Sequence, residues 1–137
     1  MTRILIADDQ PIYRQAHRAY FEHFIDPQPE FVEVQNGELA IAKIRESVRT
    51  AMFDLVVTDY QMDSGPDGVE VARVALNYGV AQNRIFIVTS YPNGCSTPRG
   101  ERLARARYDG YAVLPKLSFD DYKQHIIDKL PGLLGKK

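Results

Sequence analysis

Short apolar runs alternate with amphipathic stretches along this chain of 137 residues. Runs at Ile4-Leu5-Ile6-Ala7, Leu55-Val56-Val57, Ile85-Phe86-Ile87-Val88 and Tyr111-Ala112-Val113-Leu114 predict four strands, and the weaker Phe31-Val32-Glu33-Val34 predicts a fifth. Continuous apolar runs are what strands covered on both faces require, so the pattern points to a parallel sheet with crossover helices on either side. Tyr13, Ala16, Tyr20 and Phe24 recur at helical spacing after Pro11, a residue suited to a first helical turn. Ile41, Ile44 and Val48 predict a second helix, and Val69, Ala72 and Leu76 a third. Thr97-Pro98 reads as an N-cap followed by proline at the first helical position, opening a fourth helix through Leu103 and Ala106. Ser118-Phe119-Asp120-Asp121 has the form of a capping box for a fifth helix carrying Tyr122, Ile126 and Leu130, stopped by Pro131-Gly132. Breakers gather between Asp26 and Glu30 and between Tyr91 and Pro98, which read as loops.

The length suits one domain, expected over residues 1–137 with a core of about 2–131 and a short frayed tail. Seventeen basic and eighteen acidic side chains give a formal charge of −1 without a long run of either sign, so bulk charge does not favour a nucleic-acid partner. Cys95 is the single cysteine, which excludes an internal disulfide or a cysteine metal cluster and suits a reducing cytoplasm. The opening MTRILIADDQ holds an apolar run of four, too short for a signal peptide or a membrane span.

In a doubly wound sheet, function gathers outside the carboxyl ends of the strands, where the strand order reverses. There the first strand ends in Asp8-Asp9, the third in Thr58-Asp59 and the fourth in Thr89-Ser90. Carboxylates held close together raise one another's pKa unless a cation intervenes, and an all-oxygen set suits Mg²⁺. The structural alternative is that Asp8 or Asp9 caps the first helix, a reading that covers one aspartate better than three.

Together, RILIADDQP, VQNGELA, FDLVVTDYQM, DGVEVA, IFIVTS and the GYAVLP segment resemble the receiver domains of two-component response regulators, over nearly the whole chain. The resemblance implies a flavodoxin-like sheet in the order 2-1-3-4-5 with five helices. It implies that Asp59 is the phosphoacceptor, taking a phosphoryl group from a phosphohistidine of a sensor histidine kinase or phosphotransfer protein. It also implies that Asp8, Asp9, Asp59 and the backbone carbonyl of Gln61 hold Mg²⁺, with Asp8 acting mainly through water. Thr89 matches the hydroxyl that turns toward the phosphoryl group and Tyr111 the aromatic switch residue, which would carry the signal to a downstream protein. Read by themselves, Thr89 is a strand-end hydroxyl and Tyr111 a half-buried aromatic.

Receivers carry a lysine immediately before the proline after the fifth strand, and here that position is Leu114, followed by Pro115 and Lys116. Lys116 is the candidate substitute, because residues 114 and 116 of an extended chain point to one face. A bend at Pro115 would spoil that alternation and leave Lys116 solvated. The segment DYQMDSGPDG is one residue longer than the usual one, with Asp63 where a proline usually follows Met62. SYPNGCSTP replaces an ordinary start of the fourth helix, and Tyr91 stands two residues after Thr89. His17, His23 and His125 are too scattered for a metal site and read as surface or boundary residues, and Cys95 reads as a bystander thiol. Arg14, Gln15 and Arg18 are either a kinase-docking face or a solvated one.

Three functions follow. The first is a cytoplasmic phosphoacceptor signalling domain, standing alone as a monomer or weak homodimer, without membrane or nucleic-acid contact. The second is a pseudo-receiver adaptor that works without phosphorylation, which Leu114 favours. The third, an aspartate-nucleophile phosphohydrolase of the haloacid-dehalogenase type, needs Asp-x-Asp where this chain has Asp8-Asp9-Gln10.

Overall fold

The structure, a computed structural model, describes residues 2–24, 29–62, 65–90 and 97–116 together with Asp120, Gln124, Ile126 and Asp128. Along the chain, β1 (Arg3–Ala7), α1 (Pro11–Phe24), β2 (Glu30–Val34), α2 (Gly37–Ser47) and β3 (Leu55–Asp59) are followed by α3 (Gly68–Asn77). A single 3₁₀ turn at Gln82–Arg84 then leads to β4 (Ile85–Thr89), α4 (Pro98–Tyr108) and β5 (Ala112–Pro115). All strands are parallel in the order β2-β1-β3-β4-β5. Four of the five expected helices lie among the described residues. The fifth, with His125 and the 131–137 tail, lies outside them apart from the four isolated positions.

The alternation of side chains across the sheet divides the core in two. Leu5, Val56, Ile85 and Ile87 face α2, α3 and α4, packing with Ile44, Val69, Ala72, Leu103 and Ala106. Ile4, Ile6, Leu55, Val57, Phe86, Val88 and Leu114 face α1, packing with Phe21 and with Ile126. Because both faces are covered, the three central strands read as uninterrupted apolar runs.

Caps set where the helices begin. Asn36 Oδ1 accepts from the Leu39 N–H at 2.8 Å and Asp67 Oδ1 from the Glu70 N–H at 3.0 Å. Thr97 Oγ1 accepts from the Gly100 N–H at 3.1 Å, with Pro98 in the first turn, as the sequence predicts. The end of α4 is a Schellman turn. Gly110 takes φ 99°, its N–H donates to Arg107 O, and the Tyr111 N–H donates to Ala106 O. That turn buries Tyr111 beside Ala106 just before β5 starts.

Helix phase is where the sequence misled. The buried side chains of α1 are His17 and Phe21, while Tyr13, Ala16 and Tyr20 are half-buried and the Phe24 side chain lies outside the described set. A polar residue hid the true stripe. Val48 is 54% exposed and Leu76 38% exposed, because α2 ends at Ser47 and because α3 turns Val71 and Ala75 inward instead.

Gly68 is required by close approach. A Cβ there would stand 2.3 Å from the Asp59 carbonyl oxygen, and the Gly68 N–H already donates to Tyr60 O at 2.7 Å. Gly68→Ala is expected to cost about 2 kcal/mol of stability, since the atom met is backbone and cannot step aside cheaply. A urea melt checks this, and an unchanged midpoint would contradict it.

Candidate functional site

The parallel register brings the strand ends side by side. Ala7 pairs with Thr58, Asp59 with Val88, and Thr89 with Pro115, so the next residues out are Asp8, Tyr60, Ser90 and Lys116. The Lys116 N–H donates to Thr89 O at 2.9 Å, extending β5 by one more bond beyond Pro115. Counting outward by two on the α1 face, Ile6 leads to Asp8, Val57 to Asp59 and Leu114 to Lys116. The same alternation that buries an apolar layer beneath α1 therefore crowns it with two carboxylates and an ammonium.

Lys116 Nζ lies 3.0 Å from Asp8 Oδ2 and 3.1 Å from Asp59 Oδ2. Leu114 is part of the core below. The lysine that the sequence places two residues too far along is thus the one at the site, and Pro115, on an edge strand, does not break the alternation. Asp8 is fully buried and Asp59 is 4% exposed. Asp8 Oδ1 accepts from the Gln10 N–H at 3.0 Å, a local turn leading into α1. The helix-start role and the site role are shared between its two oxygens.

Burial, with the Asp8 carboxylate beside it, pushes Asp59 up to about 6 against the pull of Lys116. Burial works against the Lys116 charge too, but the Asp59 and Asp8 carboxylates hold its ammonium above the ordinary value. One oxygen from each of Asp8, Asp9 and Asp59 lies within 4.8 Å of the others. Asp8 Oδ2 is buried with no directed hydrogen bond among the described residues and meets the Lys116 ammonium as a charge contact. A close set of hard carboxylate oxygens at the mouth of an open cleft fits a small divalent cation. The open cleft above, about 340 Å³, is lined by Asp9, Gln10, Asp59, Gln61, Thr89 and Lys116.

His17 corrects the sequence reading. It is 1% exposed, with Nε2 at 3.9 Å from Asp8 Oδ2, and burial together with the Lys116 charge pushes its imidazole down to about 4. It serves as a neutral wall of the site. His23 is exposed, as expected. Tyr111 shares the α4 face but precedes Ala112, whose partner is Phe86, whereas Thr89 pairs with Pro115. Four strand residues separate the two levels, about 13 Å along the sheet. The structure does not bring Tyr111 to the cleft.

Arg14 and Arg18 tie α1 to its surroundings. Arg14 Nη1 donates to Asp8 O at 2.7 Å, and Arg18 pairs with Glu33 at 3.1 Å. Gln15 is exposed. Asp63, Tyr91 and Cys95 lie outside the described residues. A latch on the other side of Asp59 has no counterpart in the sequence motifs. Arg102 clasps Asp67 in two hydrogen bonds, at 2.6 and 3.0 Å, and the Tyr60 hydroxyl donates to Arg99 O at 3.0 Å. Burial of Asp67 opposes its ionisation, but the Arg102 contact holds its carboxyl below the usual range. These bonds fasten the start of α4 to the segment that follows β3.

Neither a protein-family model nor a curated protein matches the sequence. Solved structures do, over nearly the whole chain. A response regulator receiver protein from Sinorhizobium medicae is 25% identical with a TM-score of 0.67, over 98% of this chain and 94% of that one. A DNA-binding response regulator of the LuxR family from Staphylococcus aureus is 23% identical with a TM-score of 0.64, over 98% and 97%. The signal receiver domain of a modulated diguanylate cyclase from Desulfovibrio desulfuricans is 20% identical with a TM-score of 0.70, over 100% and 99%. This chain has the response-regulator receiver fold. Within that receiver fold the strand order agrees with the expected 2-1-3-4-5. Lys116, rather than the residue at 114, supplies the cation beside Asp59 at the end of β3.

Proposed function

We propose that this receiver is a two-component signalling domain that accepts a phosphoryl group on Asp59. The observation that carries the reading is the Asp59 carboxylate at the mouth of the cleft, 3.1 Å from an ammonium and grouped with Asp8 and Asp9. Phosphoryl transfer asks mainly for in-line positioning and neutralised oxygens, and such a grouping supplies both. The donor is a phosphohistidine of a sensor histidine kinase or a histidine phosphotransfer protein. An Asp59 oxygen forms the new bond to phosphorus as the phosphorus–nitrogen bond breaks, and the electron pair leaves with the imidazole, which takes up a proton.

Asp8, Asp9, Asp59 and the Gln61 carbonyl would hold Mg²⁺, which when bound neutralises phosphoryl oxygens. Lys116 keeps Asp59 ionised and pointed at the cleft, and Thr89 borders the space the phosphoryl group enters. Tyr60 and Arg102 would pass a change at Asp59 to α4, and through it to a protein partner. Tyr111, buried against the end of α4, would respond there rather than at the cleft. We place the domain in the cytoplasm, as a monomer or weak homodimer acting on protein; no helix among the described residues is long and apolar enough to cross a membrane. The adaptor reading drew its support from Leu114, and the position of Lys116 takes that support away.

Acetyl phosphate with Mg²⁺ is expected to add one phosphoryl group to the intact mass of the wild type and none to Asp59→Asn. A wild type that gains no mass with either acetyl phosphate or a phosphohistidine protein would return the adaptor reading to first place.

A further inference from the structure

Lys116 enters the site from a strand that ends beyond the level at which the sequence family supplies its lysine. Its backbone is pinned by the bond to Thr89 O, and its head must then reach back over Leu114 to meet Asp8 and Asp59. A lysine stem is long and rotamer-rich, so charge contacts alone leave it many alternatives in water. Here a second surface limits them. The Tyr13 ring, in the first turn of α1, lies under the ammonium with its centroid 4.0 Å from Nζ. Tyr13 is held by its own N–H, which donates to Gln10 O at 3.1 Å, and it is half-buried. Carboxylates thus meet the ammonium on one side and an aromatic face on another, and the Lys116 side chain is 12% exposed.

We propose that Tyr13 is a positioning residue for Lys116, holding the ammonium against Asp59 so that the late lysine does the work of the missing one. The proposal rests on the phosphoacceptor reading of Asp59. The attraction comes from the ring face and not from the hydroxyl, so phenylalanine conserves it and leucine removes it. It deepens the site by adding a residue from α1 that acts through the Lys116 ammonium.

Two measurements test it. The first is the rate of acetyl phosphate labelling with Mg²⁺. Tyr13→Leu is expected to be about tenfold slower than wild type, equivalent to about 1.4 kcal/mol in the barrier, and Tyr13→Phe to stay within about twofold. Equal rates for wild type and Tyr13→Leu, or a Tyr13→Phe as slow as Tyr13→Leu, overturn the proposal. The second needs no phosphorylation. The Lys116 ε-methylene protons are expected upfield in the NMR spectrum of wild type and Tyr13→Phe, and at ordinary shifts in folded Tyr13→Leu. An unlabelled wild type with this ring-current pattern intact would sink the Asp59 reading and leave the Tyr13 contact standing. An unchanged Lys116 signal in Tyr13→Leu would sink the contact.

Discussion

Lys116→Met is expected to lower the free energy of unfolding by about 3 kcal/mol at pH 7.5 without Mg²⁺, and to slow phosphorylation about a hundredfold. Methionine keeps most of the stem's packing, so the loss isolates the charge. At 3.0 and 3.1 Å, each carboxylate–ammonium contact is worth about 5 kcal/mol at an effective dielectric near 20, before desolvation is subtracted. Removing one partner of a buried ion pair typically costs about 3–5 kcal/mol, because the remaining charge stays buried without compensation. Here two carboxylates remain, one fully buried and the other nearly so, while the open cleft lets water moderate the effect. Asp59 would then titrate higher than in the wild type, and the stability deficit should shrink as pH falls and Asp59 takes up a proton. Mg²⁺ should narrow it as well, by replacing the lost positive charge. The rate effect follows from removing a fixed positive charge from beside the incoming phosphoryl oxygens, for which losses of about 10²–10³ are typical. Urea melts and intact-mass time courses measure the two arms. Wild-type stability and labelling in Lys116→Met would show that the ammonium is a bystander, and with it the account of how this receiver replaces its missing lysine would fall.

Why Lys116 was hard to place from sequence is a matter of register. Residues 114 and 116 share a face in any extended chain, but whether the chain stays extended through Pro115, and how far β5 advances along β4, are pairing facts. The bond from the Lys116 N–H to Thr89 O decides both, and nothing local in GYAVLPK encodes it. The strands were legible because each central one is sealed on two faces and so carries an unbroken apolar run. The acidic cluster was legible because Asp8, Asp9 and Asp59 end such runs. Helix phase was less so. His17 belongs to the buried stripe of α1 through its proximity to Asp8, a contact made by the helix folding back over the strand end, whereas hydropathy counts imidazole as a surface group. Val48 and Leu76 failed for the opposite reason, being apolar residues where α2 has already ended and where the α3 face has turned off the sheet. Tyr13 was counted as core for its spacing. Its value to the site lies in standing one turn beyond Asp9, beneath a cation that arrives from the other end of the chain. The Asp67–Arg102 clasp joins residues 35 apart and has no sequence signature at all.

Asp59→Asn is expected to stabilise the protein at pH 7.5 in the absence of Mg²⁺, by up to about 3 kcal/mol, while abolishing phosphorylation. Burial and the neighbouring Asp8 carboxylate raise Asp59 from 3.8 to about 6 in the folded chain. A carboxyl whose folded value is raised favours folding while protonated. That contribution is complete below about 3.8 and is lost as pH rises through about 6. The gap between the two values corresponds to about 3 kcal/mol. The ionised wild type therefore carries a penalty at neutral pH that the amide variant does not, and the advantage of Asp59→Asn should grow from near zero around pH 4 to a plateau above about pH 7. Lys116 tempers the gain, since the variant loses one of the two carboxylates that meet its ammonium, but Asp8 still pairs with it at 3.0 Å. Divalent cation should act in the reverse sense. Mg²⁺ binds the ionised acidic set, so at pH 7.5 it should raise the wild-type melting temperature more than that of Asp59→Asn, and its effect on the wild type should fade below about pH 6. Melting curves of both proteins from pH 4 to 8, with and without Mg²⁺, measure all of these slopes together. A wild type whose stability stays flat across that range, or an Asp59→Asn less stable than wild type at pH 7.5, would mean that Lys116 and water already neutralise Asp59. The raised carboxylate that we propose receives a cation and a phosphoryl group would then be absent.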